Sequence, residues 1–180
     1  MKKNSRIYII RHYKDKGTIY LITDIILEEN YLGRTENVEL TILCMIYDNQ
    51  KILMQNRVKE DWKGYTLPGG HVVMGESFMD ATIREMKEET GLTIKNPKLC
   101  GIKQFPIEDG RYIVLLYKTD EFEGDLLSSV EGKMEWIDRD NLIRVNLVND
   151  FMDLLKVIDD ANLSEFQYID NLGNWEVILK

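Results

Sequence analysis

Three glutamates, Glu85, Glu88 and Glu89, stand at spacings i, i+3 and i+4. On an α-helix these positions share one face within a single turn. Like charges so placed repel, and each pair weakens a helix by ~0.2–0.5 kcal/mol. A divalent cation reverses the sign of that energy. Magnesium is a hard ion that takes carboxylate oxygens together with phosphate oxygens, so such a cluster is the protein half of a phosphate site. Arg84 lies four residues before Glu88 and next to Glu85. Ahead of the cluster, Leu67-Pro68-Gly69-Gly70 is a rigid, side-chain-poor approach that would let backbone carbonyls come close to a bound ion. The competing reading of any Glu-rich helix is a solvated acidic face.

The element that must carry the glutamates is a helix over about 77–90. Ser77 with Asp80 three residues later forms its capping box, and Gly91 is placed to end it in left-handed geometry. Met79, Ile83, Met86 and Thr90 make the core-facing stripe. Strands are expected at 7–13 and 18–27 around a turn at 14–17, and at 38–47 and 51–55 around Asp48-Asn49-Gln50. A loop at 58–66 carries Trp62 and Tyr65. Further strands are expected at 92–100, 102–105, 111–118 and 133–137. A second helix covers 150–161 with Asn149 as its N-cap, and a hairpin, 165–169 with 175–179, closes the chain. Many strands with two principal helices make an α+β protein, a mixed sheet packed between helices.

The 180 residues suit one domain with a real core. No apolar run reaches the ~20 residues of a membrane helix. Arg6, Arg11 and His12 interrupt any signal-peptide core after the basic start, so a cytoplasmic protein is expected. Cys44 and Cys100 lie in apolar strand contexts, and no histidine joins them at zinc spacing. His12 and His71 read as structural. The net charge of −8 argues against a nucleic-acid polymer as partner. A polyphosphate ligand would then need cations between it and the protein.

Written out, Gly70, five residues, Glu76, seven residues, then Arg84-Glu85-Met86-Lys87-Glu88-Glu89-Thr90-Gly91-Leu92 matches every fixed position of one pattern. It resembles the complete Nudix box, G-x5-E-x7-R-E-U-x-E-E-x-G-U with U apolar, over residues 70–92. Flanking features extend the likeness through most of 38–180. The resemblance implies an α/β/α sandwich with a mixed sheet, and hydrolysis of a nucleoside diphosphate linked to a further moiety with Mg2+, for which Mn2+ can substitute. It makes Glu85, Glu88, Glu89 and the carbonyl of Gly69 metal ligands. Arg84 orients the carboxylates, and Gly70, Glu76 and Gly91 are structural members of the box, Glu76 with an outer-shell position open to it. Glu85, Glu88 and Arg84 thereby belong to the catalytic set.

Within the family the chain is similar to the MutT branch, the diphosphatases that clear oxidised purine nucleotides such as 8-oxo-dGTP. Arg57 falls where that branch contacts phosphate, and Glu131 in the loop that supplies an additional catalytic glutamate. Asn149 and Asp150 fall where it reads the purine. Trp62, Trp136 and Trp175 read as core or rim aromatics, with stacking on a base open to Trp62. Residues 1–37 are an extension beyond the usual length of the branch, forming an additional hairpin, and the protein is expected as a monomer or homodimer. Substrates outside the triphosphates are ADP-ribose, a nucleotide sugar or a dinucleoside polyphosphate, and Pro106 lies near the place where the ADP-ribose branch expects a proline. A non-catalytic nucleotide-binding module is the alternative from another class.

Overall fold

The computed structural model describes residues 35–58, 63–127 and 132–180, and the backbone of 11–15 and 18–22. The chain divides between Glu36 and Asn37 into two units. In the first, β1 (Arg11–Asp15) pairs antiparallel with β2 (Thr18–Ile22). Lys14 and Asp15, expected in a turn at 14–17, pair with Ile19 and Thr18 as part of the strands, and 16–17 lie outside the described residues.

The second unit is built on one mixed sheet. Its strands are β3 (Val38–Asp48), β4 (Lys51–Arg57), β5 (Gly64–Thr66), β6 (Gly69–His71), β8 (Lys98–Ile107), β9 (Gly110–Thr119), β11 (Gly132–Asp138), β12 (Glu165–Asn171) and β13 (Asn174–Leu179). The order runs β11-β4-β3-β9-β8-β12-β13, with β5 on β4 and β6 on β3. β3 with β9 and β8 with β12 are parallel, while the other pairs are antiparallel. β7 (Thr93–Lys95) and β10 (Glu121–Glu123) form a separate two-stranded ribbon. The expected strand at 92–100 is therefore two strands, broken where Asn96 turns to φ 48°.

One helix covers each face. Against one lies α1 (Phe78–Thr90), in a cluster of Ile42, Cys44, Ile46, Leu53, Met86 and Leu92. Against the other lies α2 (Phe151–Asp159). α2 buries Phe151, Leu154, Leu155, Val157 and Ile158, the spacing of one apolar helical face. Full burial of such a side chain contributes ~1.5–3 kcal/mol, which holds this short helix in place. The α/β/α sandwich and the terminal hairpin follow the sequence expectation.

Several local features differ from it. Residues 64–66, read as loop, are strand β5, because Gln55 to Arg57 offer them a partner. Ser77 caps α1 by accepting from the Asp80 amide at 3.1 Å. The core stripe is rotated, however: Met79 is exposed, while Ala81, Thr82, Glu85, Met86 and Thr90 are buried. Threonines tolerate that position because Thr82 and Thr90 donate their hydroxyls to the carbonyls of Phe78 and Met86. The rotation carries Glu85 inward. α2 begins at Phe151 after Asp150, so Asn149 is not its cap, and Asp150 takes φ 56° with no side-chain cap bond. A 3-10 helix at Arg139–Arg144, unseen in the periodicity, joins β11 to the approach to α2.

The strands β3 and β4 pair only at their hairpin end, Tyr47 with Ile52 and Asp48 with Lys51. Beyond that they part, β3 taking β6 and β4 taking β5. The parting opens the sheet beside α1.

Gly91 closes α1 at φ 76°, its amide bonded to the Lys87 carbonyl at 3.1 Å. A Cβ there would lie 2.6 Å from the backbone oxygen of Asp125. Replacing Gly91 by Ala should cost ~1–3 kcal/mol of stability, read as a lower urea midpoint. An unchanged midpoint would mean that the cap has relaxed at no cost.

Candidate active site

A cavity of about 940 Å³ opens where β3 and β4 part. One end carries Gly69, Gly70, Glu85 and Glu89, and the other Lys103, Asn149, Asp150 and a group of aromatic rings.

At the acidic end the pairing of β6 decides which carbonyls are available. Cys44 donates to the Pro68 carbonyl and Val72 to the Leu40 carbonyl, both at 3.0 Å. In an antiparallel ladder alternate residues face the partner, so Gly69 and His71 turn their carbonyls away from β3. The His71 carbonyl accepts from Arg84 Nη2 at 3.0 Å, and Gly69, two residues earlier, presents its own oxygen toward the same side. Gly70 between them must lack a side chain: a Cβ would lie 2.2 Å from Glu85 Oε2. Glu85 fills that vacant place, and its side chain is only 11% exposed.

Arg84 gathers the carboxylates. Its Nε donates to Glu76 Oε1 at 2.9 Å and its Nη2 to Glu76 Oε2 at 2.8 Å, a two-pronged pair. Nη1 reaches Glu85 Oε1 at 2.8 Å and Glu88 Oε2 at 3.1 Å. These acceptors raise the guanidinium pKa further. Glu89 is held from the sheet side, its Oε2 accepting from Gln55 Nε2 at 2.5 Å. Glu88 is 59% exposed and borders a shallower depression outside the cavity, beside Glu76 and Arg84.

Among the described residues, no three His, Cys, Asp or Glu side chains already converge on one point. The donor set nevertheless fits a hard cation: carboxylates from adjacent turns, one of them buried, and an outward carbonyl beside them. The single cationic group touching Glu85 and Glu88 is the guanidinium of Arg84 among the described residues, so much of their charge is open to further compensation.

At the other end Phe105 stacks on Tyr112, with centroids 4.8 Å apart and planes at 14°. Tyr168 stands edge-on to Phe105 and to Trp175, each at 6.2 Å. The Tyr168 hydroxyl donates to Asp150 Oδ2 at 2.7 Å, and burial followed by that carboxylate raises its pKa. Asn149 and Asp150 reach the cavity because β5 anchors the chain just before them: Tyr65 bonds Asn146 and Val148 through its backbone. Lys103 lies with its ammonium 5.1 Å from the Tyr168 ring centroid, and burial lowers its pKa to about 8 against the opposing charge of Asp150. Arg57 lines the cavity from one end of the β4–β11 pairing, where it faces Gly132.

Of the residues singled out in the sequence, Arg57, Gly69, Gly70, Glu85, Glu89, Asn149 and Asp150 share this cavity. Glu88 and Glu76 adjoin it through Arg84. Gly91 shapes the end of α1. Glu131 and Trp62 lie outside the described residues. Trp175 is a rim aromatic as expected, and Trp136 packs beside Phe122 in the core. His71 sits at the cavity bonded to Glu39 Oε1 at 2.8 Å. Cys44 and Cys100 are free thiols, both raised in pKa chiefly by burial. Gln55, Lys103, Phe105, Tyr112 and Tyr168 were not foreseen. Phe105 and Tyr112 follow the polar Gln104 and Arg111 as ordinary strand aromatics do, and a lysine following Ile102 reads as the solvent face of a strand.

The NUDIX domain family profile matches residues 38–159. An uncharacterized Nudix hydrolase, YvcI, of Bacillus subtilis (strain 168) is 34% identical over 142 residues, 76% of this chain and 79% of its own. The ADP-ribose pyrophosphatase of Methanocaldococcus jannaschii is 34% identical over 117 residues, 60% of this chain and 69% of its own. The crystal structure of a mutator MutT protein from Bacillus halodurans superposes with a TM-score of 0.64 at 29% identity, covering 77% of this chain and 97% of that one.

Hydrogen bonds from Arg84 first, and the Val73 amide, hold the Glu76 carboxyl below its ordinary value of 4.5. A depressed folded-state value stabilises the fold above the ordinary carboxylate range, and that contribution is lost as pH falls through the depressed value. Carboxyl-carbon NMR should show Glu76 titrating below 4.5 in the parent protein. Arg84→Gln should move the midpoint upward; an unmoved midpoint would deny the arginine this role.

Proposed function

The chain belongs to the Nudix hydrolase family, and on that premise we propose that it is a magnesium-dependent pyrophosphohydrolase of nucleoside triphosphates, releasing monophosphate and pyrophosphate. Its favoured substrates are oxidised purine nucleotides such as 8-oxo-dGTP. The observation that carries this reading is the single cavity with two unlike ends, carboxylates and an outward carbonyl at one and stacked rings with polar groups at the other. A nucleotide has the same two unlike ends.

In this reading Glu85, Glu88, Glu89 and the Gly69 carbonyl would hold Mg2+ or Mn2+. Such an ion, when bound, would supply neutralisation of charge developing on the departing phosphate and a lowered pKa for the attacking water. Arg84 keeps Glu85 and Glu88 oriented, and Glu76 keeps Arg84 in place. Gln55 fixes the rotamer of Glu89. Arg57 meets a phosphate, and Asn149 with Asp150 reads the base. Glu131 serves as an additional catalytic glutamate, and a carboxylate near the water takes its proton. No described helix is long and apolar enough to cross a membrane.

The likeness to the MutT protein of Bacillus halodurans supports a MutT-type reading. The pyrophosphatase of Methanocaldococcus jannaschii supports a second one, in which ADP-ribose is cleaved by the same chemistry. A nucleotide panel in Mg2+ with separate detection of phosphate and pyrophosphate distinguishes them. Pyrophosphate released from triphosphates is the expected result, and AMP from ADP-ribose alone would favour the second. Glu85→Gln and Glu88→Gln should each lower kcat by about 100-fold or more on the preferred substrate. Unchanged turnover in both variants would remove the catalytic assignment.

A further inference from the structure

Lys103 is unusual among the cavity's groups. It stands on β8 opposite Val114 of β9 and Phe166 of β12, in the middle of the sheet where an apolar residue is the ordinary occupant. Its ammonium lies over three rings, 5.1 Å from Tyr168, 5.2 Å from Phe166 and 6.0 Å from Phe105. Those rings stabilise a cation but accept none of its hydrogen bonds in the way an oxygen does. Among the described residues, Lys103 has no hydrogen-bond acceptor and no ion-pair partner within reach. Asp150 acts on it only through its charge, and one oxygen of that carboxylate already accepts from Tyr168. An ammonium offers three N–H donors, and leaving them unmatched after partial desolvation is costly. The cavity is the direction in which an acceptor can arrive.

The acceptor's carrier is constrained by what surrounds it. Phe105 and Tyr112 lie nearly parallel, and Trp175 and Tyr168 flank them, which suits a planar heteroaromatic group. We propose that Lys103 is a specificity-determining residue that donates to the ring carbonyl of a 6-oxopurine, so that guanine- and hypoxanthine-type nucleotides are selected over adenine-type ones. The proposal rests on the cavity being a nucleotide site. A 6-oxopurine turns an oxygen acceptor toward the ammonium, whereas a 6-aminopurine turns an N–H donor at the same place. Donor against donor leaves the cation unmatched and repelled, while Asp150 can accept from a ring or amino N–H of the preferred base. At neutral pH the lysine remains largely charged, since burial lowers it only to about 8.

The test is metal-free calorimetric binding of GMP, IMP and AMP to the full chain and to Lys103→Met and Lys103→Arg. The parent protein should bind GMP and IMP about 10- to 100-fold more tightly than AMP, the range a site built for a hydrogen bond gives against a mismatched edge. Lys103→Met should bring the three within about 3-fold, and Lys103→Arg, which keeps the donors, should restore the order. Equal affinities in the parent protein, or a preference undiminished by Lys103→Met, would overturn the proposal. Should the methionine variant fail to fold, the parent ranking and the arginine variant still decide. Binding that follows this order in a protein that hydrolyses no nucleotide in Mg2+ would sink the hydrolase reading and spare this one. Hydrolysis without the order would do the reverse.

Discussion

The structure depends on bringing a carboxylate into the protein and keeping it charged. Glu85 is turned inward by the roll of α1 and lies against Gly70, where only a hydrogen leaves room for it. A buried carboxylate without a partner is severely penalised. Arg84 supplies the partner, and it does so while bound to Glu76, Glu88 and the His71 carbonyl. One guanidinium faces three carboxylates, so the cluster keeps an excess of negative charge. That excess is what a divalent ion would compensate, and it explains how an acidic protein can attract a polyphosphate.

The rest of the second unit is arranged around this constraint. Parting of β3 from β4 exposes the Gly69–His71 edge and lets Gln55 reach Glu89. The parallel pairing of β12 with β8 brings Phe166 and Tyr168 over Lys103, and the hairpin partner β13 adds Trp175 at the rim. α2 holds its end of the cavity through its apolar face, which frees Asp150 from capping and leaves it to Tyr168. The acidic end and the aromatic end are thus placed by different strands of one sheet, and its rigidity fixes the distance between them.

The sequence made the acidic end legible because its residues lie within 23 positions on one helix and its approach, where spacing translates directly into geometry. Ser77 and Gly91 bounded that helix correctly through capping chemistry. In the buried arc of α1, Met86 and Thr90 lie inside as expected, but Thr82, its hydroxyl bonded to its own helix backbone, packs inside while Met79 is exposed. The aromatic end was largely illegible. Lys103, Tyr112 and Tyr168 come from three strands whose mutual register is set by tertiary pairing, and no local pattern distinguishes an inward lysine from an outward one. Gln55 looked like the end of a hairpin strand for the same reason. Asn149 and Asp150 were found by resemblance alone, and one residue's shift in the start of α2 separates the capping role from the cavity role.

The most direct test of the central claim is a crystal structure of the protein grown in Mn2+, with anomalous scattering used to locate the ion. The account predicts a peak between Glu85, Glu89 and the Gly69 carbonyl, with Glu88 swung inward and Arg84 still bonded to Glu76. No peak there at saturating Mn2+, with Glu85 and Glu88 satisfied by Arg84 alone, would contradict it.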